Sequence, residues 1–272
     1  MGNYKSLAGN YATGVVARFI GLKGHFRMKP KIGVFSFTSC EGCQLQILNL
    51  EDELPALLGQ IEFVNFREAM SEKGEDYEIA FIEGSITRES EIAELKSIRE
   101  RAKVLIAFGA CAHLGGVNVL KNFHPQGTWL PSVYGRTDLF SDTIPTKRVK
   151  DVVPIDFVIP GCPIDKKEFL RFVQGLLLSM KPALPDYPVC VECRSKGNIC
   201  LVEEGKWCLG SVTRAGCDAI CPTYREACAA CRGLVEEPNI ESLCNILMAN
   251  GLSKEEIRAK FNLFNGLEGI EI

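Results

Sequence analysis

The residues with the most distinctive chemistry in this chain are its 13 cysteines, among 272 residues. In the segment FSFTSCEGCQ (35–44), an apolar run ends at Cys40 and Cys43, which are separated by two residues. Such a pair occurs in disulfides, in half of a zinc site, in redox dithiols and in larger metal sites. The pair alone does not distinguish these possibilities, so the positions of the other cysteines decide the interpretation.

The composition sets broad limits on the class of protein. The length and the 46% hydrophobic content suffice for one large domain or two small ones, and a net charge of −3 gives no indication of nucleic-acid binding. No apolar run reaches the ~18 residues of a membrane span, and no secretory h-region, cleavage site or twin-arginine pair is evident near the N-terminus. We therefore expect a cytoplasmic protein, in which abundant cysteines indicate metal binding more often than disulfides.

Strands and helices are predicted to alternate from residue 31 onwards. Apolar runs predict strands at 31–37, 61–66, 77–84, 103–110 and 155–161. Helical periodicity predicts helices at 44–58, 86–102 and 166–180, and residues 112–154 are predicted to be rich in loops. This alternation predicts an α/β fold with a doubly wound parallel sheet in a domain at 31–181. Residues 1–30 are expected to form an N-terminal extension, either flexible or packed on a partner subunit.

Four cysteines follow predicted strands at the point where each strand ends. Cys40 and Cys43 follow the first strand, Cys111 the fourth and Cys162 the fifth. Because the carboxyl ends of parallel strands meet at one edge of a sheet, we expect these four thiols to converge there. Neighbouring glycines would let the backbone approach a bulky ligand closely, at Gly42, Gly109 and Gly161. Four thiolates suit either one tetrahedral zinc ion or a [4Fe–4S] cluster.

Eight further cysteines lie in a second predicted domain, 182–272, which begins with the linker PALPDYP (182–188). This cysteine-rich region is predicted to have little regular structure before two C-terminal helices, so its order must come from metal or cross-links. Sequential grouping gives two sets of four: Cys190, Cys193, Cys200 and Cys208, then Cys217, Cys221, Cys228 and Cys231. An interleaved grouping, as in two-cluster ferredoxins, is the alternative. The thirteenth, Cys244, is predicted to be a core residue. Three all-cysteine sites suit an electron relay better than three structural zinc ions.

An ordered series of motifs carries a resemblance to a known family over roughly residues 31–265. The motifs are TSCEGCQLQ (38–46), AFIEGSI (80–86), GACAHLGG (109–116), PGCP (160–163), PVCVECRSKGNIC (188–200) and CLGSVTRAGCDAICPTYREACAACRG (208–233). They resemble the small subunits of cytoplasmic [NiFe] hydrogenases, the group that includes sulfhydrogenase delta subunits and the F420-linked and heterodisulfide-reductase-linked hydrogenases. The resemblance implies an electron-transfer subunit of an oxidoreductase, with a flavodoxin-like first domain.

The resemblance also assigns the cysteines to three [4Fe–4S] clusters. The proximal set is Cys40, Cys43, Cys111 and Cys162; the medial set is Cys217, Cys221, Cys228 and Cys231; the distal set is Cys190, Cys193, Cys200 and Cys208. Many periplasmic relatives have a His in the distal set and a Pro in the medial set, where this chain has Cys190 and Cys221. The implied partners are a large subunit with the Ni–Fe centre and a subunit bearing flavin or iron–sulfur. This chain itself would bind no nickel and would carry no catalytic residue of its own.

Three other residues near the first cysteines could have roles of their own. Glu41 is expected to be a solvated carboxylate at a helix start, with proton movement as the alternative. Glu83 is expected either to hydrogen-bond near the proximal set or to form an interface salt bridge. His113 is expected to pack or hydrogen-bond rather than to bind metal.

Two other functions remain as alternatives at this point. One is a complex-I-like redox adaptor without hydrogenase activity, although the complex I subunit has adjacent cysteines in its first motif and lacks the eight-cysteine segment. The other is a zinc-stabilised interaction protein.

Overall fold

The computed structural model describes residues 29–125, 127–135 and 142–272, so nearly all of the expected N-terminal extension lies outside the described residues. The strands are β1 (Lys31–Ser36), β2 (Glu62–Phe66), β3 (Ile79–Glu83), β4 (Ile86–Arg88), β5 (Val104–Phe108), β6 (Thr143–Lys147) and β7 (Phe157–Ile159). Five of them form one sheet in the order β2-β1-β3-β5-β7, with every neighbouring pair parallel. This order is the flavodoxin-like one, and it confirms the predicted fold class.

The helices cover both faces of this sheet and continue beyond it. They are α1 (Gly42–Leu48), α2 (Leu54–Leu58), α3 (Glu89–Arg101), α4 (Gly109–Leu114), α5 (Leu130–Tyr134), α6 (Lys166–Leu177), α7 (Val189–Ser195), α8 (Ile220–Thr223), α9 (Ile240–Ala249) and α10 (Lys254–Asn265), with 3₁₀ helices at Gly116–Phe123 and Val149–Asp151. No helix among the described residues has the length and apolar character needed to cross a membrane.

The core of the first domain lies in two layers, one on each face of the sheet. On one face Phe81 packs with Phe108 of β5 and Phe169 of α6, with ring centroids 5.5–5.9 Å apart. On the other face, Ile82 and Leu105 pack against residues of α3. The residues of β3 and β5 are buried on both faces, which explains why β5 is continuously apolar in the sequence and why β3 is apolar up to Glu83.

Two predicted helices are wrong in detail. The helix predicted at 44–58 is interrupted between α1 and α2, because Pro55 sits in the first turn of α2 and its ring would clash inside one continuous helix. The helix predicted at 86–102 begins as β4, where Ile86 and Arg88 pair antiparallel with β6. β6 itself lies in the segment 112–154, for which the sequence predicts loops.

The cysteine-rich region gains a core from the C-terminal helices rather than from its own segment. Leu209 and Val212 pack against Leu247 of α9 and Phe261 of α10. Cys244 is 5% exposed within the same cluster, which confirms its predicted core position. A capping box formed by Ser253 and Glu256 fixes the start of α10.

Candidate metal centres

The four thiols of the proximal set meet at the carboxyl edge of the sheet, as the strand pattern predicts. Cys40 and Cys43 lie at the start of α1 after β1, Cys111 lies in α4 directly after β5, and Cys162 follows β7. Burial raises the pKa of the Cys111 thiol to about 12, and the nearby Cys162 and Cys40 thiols add to the rise. Burial also raises the pKa of Cys43, with Glu83 and Cys111 contributing. Each thiol therefore lies within electrostatic reach of others in the set.

The chemistry of the donor set, four cysteine thiols, bears on what the site can hold. Buried thiols crowded together resist ionisation, because each thiolate would be poorly solvated and would repel its neighbours. A polynuclear iron centre reverses this, since its positive charge makes coordinating thiols give up their protons. The donor set of the proximal site therefore fits an iron–sulfur cluster.

Close packing around the proximal set leaves no room for larger residues. Gly109 has φ +86°, and a Cβ there would contact Cys43 Sγ. At Gly116, with φ +59°, a Cβ would lie 2.8 Å from Cys111 Sγ. The backbone can approach these sulfur atoms only because both residues lack a side chain.

A substitution at Gly109 should therefore disturb the proximal site selectively. We expect Gly109→Ala to lose the iron of one cluster, roughly a third of the total for three four-iron clusters, because the new methyl group displaces Cys43 Sγ. Iron content per chain, measured after anoxic purification, checks this. Gly135→Ala is the matched control, since Gly135 also has positive φ (+66°) but has open space around its Cβ position. Equal iron in both variants would contradict this account of the packing.

Glu83 lies beneath the proximal set with its carboxylate buried. The residue is 2% exposed, and its Oε1 accepts a hydrogen bond from the backbone N–H of Cys43 at 3.0 Å. Burial raises the pKa of Glu83, and its contacts with Cys43 and Gln44 oppose that rise. This hydrogen bond places the Glu83 carboxylate beside the backbone that carries Cys43. Gln44, whose side chain is fully buried, is a polar neighbour that sequence patterns did not reveal.

Glu41 contacts Ser36 and Arg67 with its side chain. It occupies the N-cap position of α1 with φ +60°, and its Oε1 accepts a hydrogen bond from Ser36 Oγ at 2.8 Å and lies 3.3 Å from Arg67 Nη1. Burial works to raise the pKa of Glu41, but the contacts with Ser36, Glu68 and Arg67 lower it overall. Glu41 is therefore a partly exposed carboxylate that joins the end of β1 to the turn after β2.

His113 has a packing role rather than a ligand role. It lies in α4 against the backbone of Gly233 and beside Leu114. Burial, reinforced by nearby cations including Lys150, lowers the pKa of His113 to about 3, so the ring is neutral. This placement agrees with the packing expected for His113.

The distal set is assembled around α7. Cys190 and Cys193 lie on this helix, and Cys200 and Cys208 lie in the loops that follow. Burial raises the pKa of the Cys190 thiol to about 11, and the three other thiols of the set all contribute to the rise. The backbone folds closely around them, since a Cβ at Gly210 would lie 3.5 Å from Cys208 Sγ and 3.6 Å from Cys190 Sγ.

The medial set lies between the other two. Burial raises the pKa of the Cys231 thiol to about 12, and the contributing neighbours are Cys162 of the proximal set together with Cys217 and Cys221. Burial also raises the pKa of Cys228, which is close to Cys208 and Cys231. The thiol neighbours of Cys231 thus include Cys217 and Cys221 of its own set, and one cysteine of each other set adjoins the medial set: Cys162 beside Cys231 and Cys208 beside Cys228.

Direct contacts join the medial set to the distal set and to the proximal set. The backbone N–H of Cys228 donates to Cys208 Sγ at 3.4 Å, and Leu209 N–H donates to the Cys228 carbonyl at 2.9 Å. The backbone of Cys162 is close enough to the Cys231 thiol to work against the rise in its pKa caused by burial. Each set is therefore within a few covalent or hydrogen bonds of the next.

The zinc alternative has a different geometric requirement. A structural zinc site places four ligands about 2.0–2.3 Å from one ion. Among the residues that the structure describes, no group of three or more His, Cys, Asp or Glu side chains is spaced to hold a metal ion, and this applies to iron as much as to zinc.

A buried ion pair fastens the cysteine-rich region to the sheet domain. Arg232 is 1% exposed, and its Nη2 donates to Glu168 Oε1 of α6 at 2.7 Å. Its Nη1 donates to the Pro160 carbonyl at 2.9 Å and its Nε to the Ala215 carbonyl at 2.8 Å. Sequence analysis did not single out this pair. The one local signal is that Arg232 directly follows the predicted ligand Cys231.

A flavodoxin-like domain has thiols at its ligand-binding edge and continues into a cysteine-rich region. This combination is typical of one class of protein, the iron–sulfur electron-transfer subunits of oxidoreductase complexes. Residues 40–176 match the family described as NADH ubiquinone oxidoreductase, 20 Kd subunit. Sulfhydrogenase 2 subunit delta of Pyrococcus furiosus is 37% identical, over 86% of this chain and 98% of that protein. A subunit of the F420-non-reducing hydrogenase vhu of Methanocaldococcus jannaschii is 32% identical, over 86% and 93%.

Solved structures show the same fold. A chain of the NAD⁺-reducing [NiFe]-hydrogenase in its H2-reduced state superposes with a TM-score of 0.52 at 24% identity, covering 58% of this chain and 96% of that one. A chain of the Ni-Fe-Se hydrogenase of Desulfomicrobium baculatum gives a TM-score of 0.51 at 16% identity, covering 79% and 97%. The protein belongs to the NADH ubiquinone oxidoreductase 20 Kd subunit family and, within it, to the small subunits of hydrogenases. It is a component of an oxidoreductase complex.

Proposed function

We propose that this chain is the electron-transfer small subunit of a cytoplasmic [NiFe] hydrogenase. It relays electrons through three [4Fe–4S] clusters between a Ni–Fe site in a large subunit, where H2 is split or formed, and a partner subunit bearing flavin or iron–sulfur. The observation that carries this proposal is the contact between neighbouring cysteine sets: Cys162 lies beside the Cys231 thiol, and the backbone N–H of Cys228 donates to Cys208 Sγ. The names of relatives, among them subunits of F420-non-reducing hydrogenases, support the same function.

Each cysteine set has a proposed place in the relay. The proximal set lies at the sheet edge, where Cys40 and Cys162 are exposed, and this edge is the proposed contact with the large subunit. The distal set on α7 is the proposed side of the acceptor subunit. We also propose that residues 31–181 and 182–272 form the two domains, one holding the proximal cluster and the other holding the medial and distal clusters.

The chain's own residues act mainly by burying and positioning. When bound, each cluster supplies reversible one-electron transfer. Burial of Cys43 and Cys228 excludes water from the sulfur atoms, and Glu83 holds the backbone of Cys43 in place. Backbone N–H groups aimed at sulfur, as at Cys228, are the means by which a protein tunes cluster potentials.

A redox adaptor without hydrogenase activity is the second candidate. One observation favours it: the family that matches residues 40–176 is described by a subunit of NADH ubiquinone oxidoreductase. That match ends before the eight-cysteine segment, whereas the sulfhydrogenase delta relative is similar over 86% of the chain. The hydrogenase proposal is therefore preferred.

Metal analysis of the anoxically purified native complex tests both candidates. We expect a brown protein with about twelve iron atoms per chain, purifying with a nickel-containing subunit. Iron in this amount without any nickel-bearing partner would support the adaptor instead. A colourless protein that contains zinc would overturn both.

A further inference from the structure

The buried guanidinium of Arg232 lies where two cysteine sets come together. Arg232 directly follows Cys231 in the chain. Its Nε donates a hydrogen bond to the carbonyl of Ala215, two residues before Cys217. On the other side its Nη1 hydrogen-bonds the carbonyl of Pro160, two residues before Cys162. Arg232 therefore bridges the backbones that present the medial and proximal thiols.

This cation is fully withdrawn from solvent and has one charged partner. The side chain of Arg232 is 1% exposed and that of Glu168 is 7% exposed, with 2.7 Å between Nη2 and Oε1. An isolated charge at such depth is strongly disfavoured, so the pair persists only because its geometry and hydrogen bonds are good. The second oxygen of Glu168, Oε2, has no hydrogen-bond partner among the described residues, so the carboxylate is compensated mainly by this one arginine.

The two charges are not equally placed with respect to the medial set. Arg232 is attached to a medial residue, whereas Glu168 belongs to α6 of the sheet domain. Burial raises the pKa of the Cys217 thiol, and the charge of Arg232 opposes that rise. The positive end of the pair therefore faces the medial thiols.

We infer that Arg232 is a positioning residue that raises the reduction potential of the medial cluster and holds it in line with the proximal one. This inference rests on the proposed function. Reduction adds one electron to a cluster, and a buried cation beside it stabilises the added negative charge. Glu168 moderates the effect, because its carboxylate partly cancels the cation.

Opposite charge changes at the two partners test the electrostatic role. We expect Arg232→Gln to make the reduced medial cluster about tenfold less favoured, a shift of about 59 mV to more negative potential for one electron. Glu168→Gln should shift the potential in the opposite direction, since it leaves the cation uncompensated while the amide oxygen still accepts from Arg232. Arg232→Lys should stay near the wild-type potential, because the charge is kept.

The measurement is an EPR-monitored redox titration of the purified complex, reduced chemically, with the medial signal assigned as the one lost in Cys217→Ser. Arg148→Gln is the control: Arg148 also joins distant segments, through its hydrogen bond to Glu268, and its loss should leave the medial potential unchanged. Shifts of the same sign in Arg232→Gln and Glu168→Gln, or equal shifts of all three clusters, would overturn the inference. If Arg232→Gln fails to fold, the Glu168→Gln and Arg232→Lys titrations decide alone. A wild-type complex without three cluster signals would instead refute the proposed function.

Discussion

Cys111→Ser is expected to stop reduction of the whole chain by H2 while leaving two clusters intact. Cys111 is a proposed proximal ligand in α4, and its thiol lies close to those of Cys40, Cys43 and Cys162. The proximal cluster is the proposed entry point from the large subunit, so its loss or conversion breaks the relay at the first step. The medial and distal sets use none of these cysteines and should still be reduced by dithionite.

Two measurements separate the proximal defect from general damage. Iron analysis should show up to about four fewer atoms per chain, and EPR of the dithionite-reduced protein should keep the other two signals. Cys244→Ser is the matched control: it also changes a buried thiol to a hydroxyl, but in the apolar cluster between α9 and α10. That variant should keep its iron and its H2-driven reduction. An unchanged EPR spectrum in Cys111→Ser would refute the grouping of the proximal set.

Removing the iron is expected to unfold the cysteine-rich region and to spare the sheet. The local core around α7 and α8 consists of Val189, Ala219 and Cys228, and its remaining neighbours are Cys193, Cys208 and Cys217. Without metal this core has few apolar atoms to bury, whereas each face of the sheet has a large apolar layer. Zinc binding contributes about 10–16 kcal/mol to the folding of zinc-finger peptides, so by analogy amide exchange at 189–231 should accelerate roughly a thousandfold or more.

Hydrogen exchange followed by mass spectrometry checks this expectation after oxidation and chelation of the purified protein. The internal control is β3, where all residues from Ile79 to Glu83 are buried and exchange should stay slow. The capped helix α10 should lose only part of its protection, because Phe261 and Ile257 still pack against α9. Persistent protection of 189–231 in the iron-free protein would show that the region folds without clusters.

The sheet and the proximal thiols were predictable because the signals are local. β5 is a continuous apolar run and Cys111 lies three residues after its end, so parallel pairing alone brings Cys111 to the common edge. The grouping of the eight later cysteines was less determined, since spacing permits both sequential and interleaved sets. It takes the three-dimensional neighbours of Cys231 and Cys228 to favour one of them.

Other features depend on contacts between distant segments and leave little trace in local patterns. Arg232 and Glu168 are 64 residues apart, and each looks like an ordinary surface charge in the sequence. β4 is a strand only because β6 pairs with it, and the segment that carries β6 shows no periodicity. The break after α1 had a visible cause in Pro55, which the apolar periodicity of 44–58 concealed.

The three turns that present the proximal thiols become neighbours only when β1, β5 and β7 lie in one sheet. During synthesis, the site is incomplete until the last of these strands has emerged and docked. Iron delivered to this edge would therefore find all four thiols only on a chain whose first domain has already folded. In the cysteine-rich region the ligands are near neighbours along the chain, and metal can arrive there before the fold is complete. In the proposed relay, cluster insertion at the proximal site would therefore follow the folding of the first domain, whereas insertion at the other two sites would accompany folding.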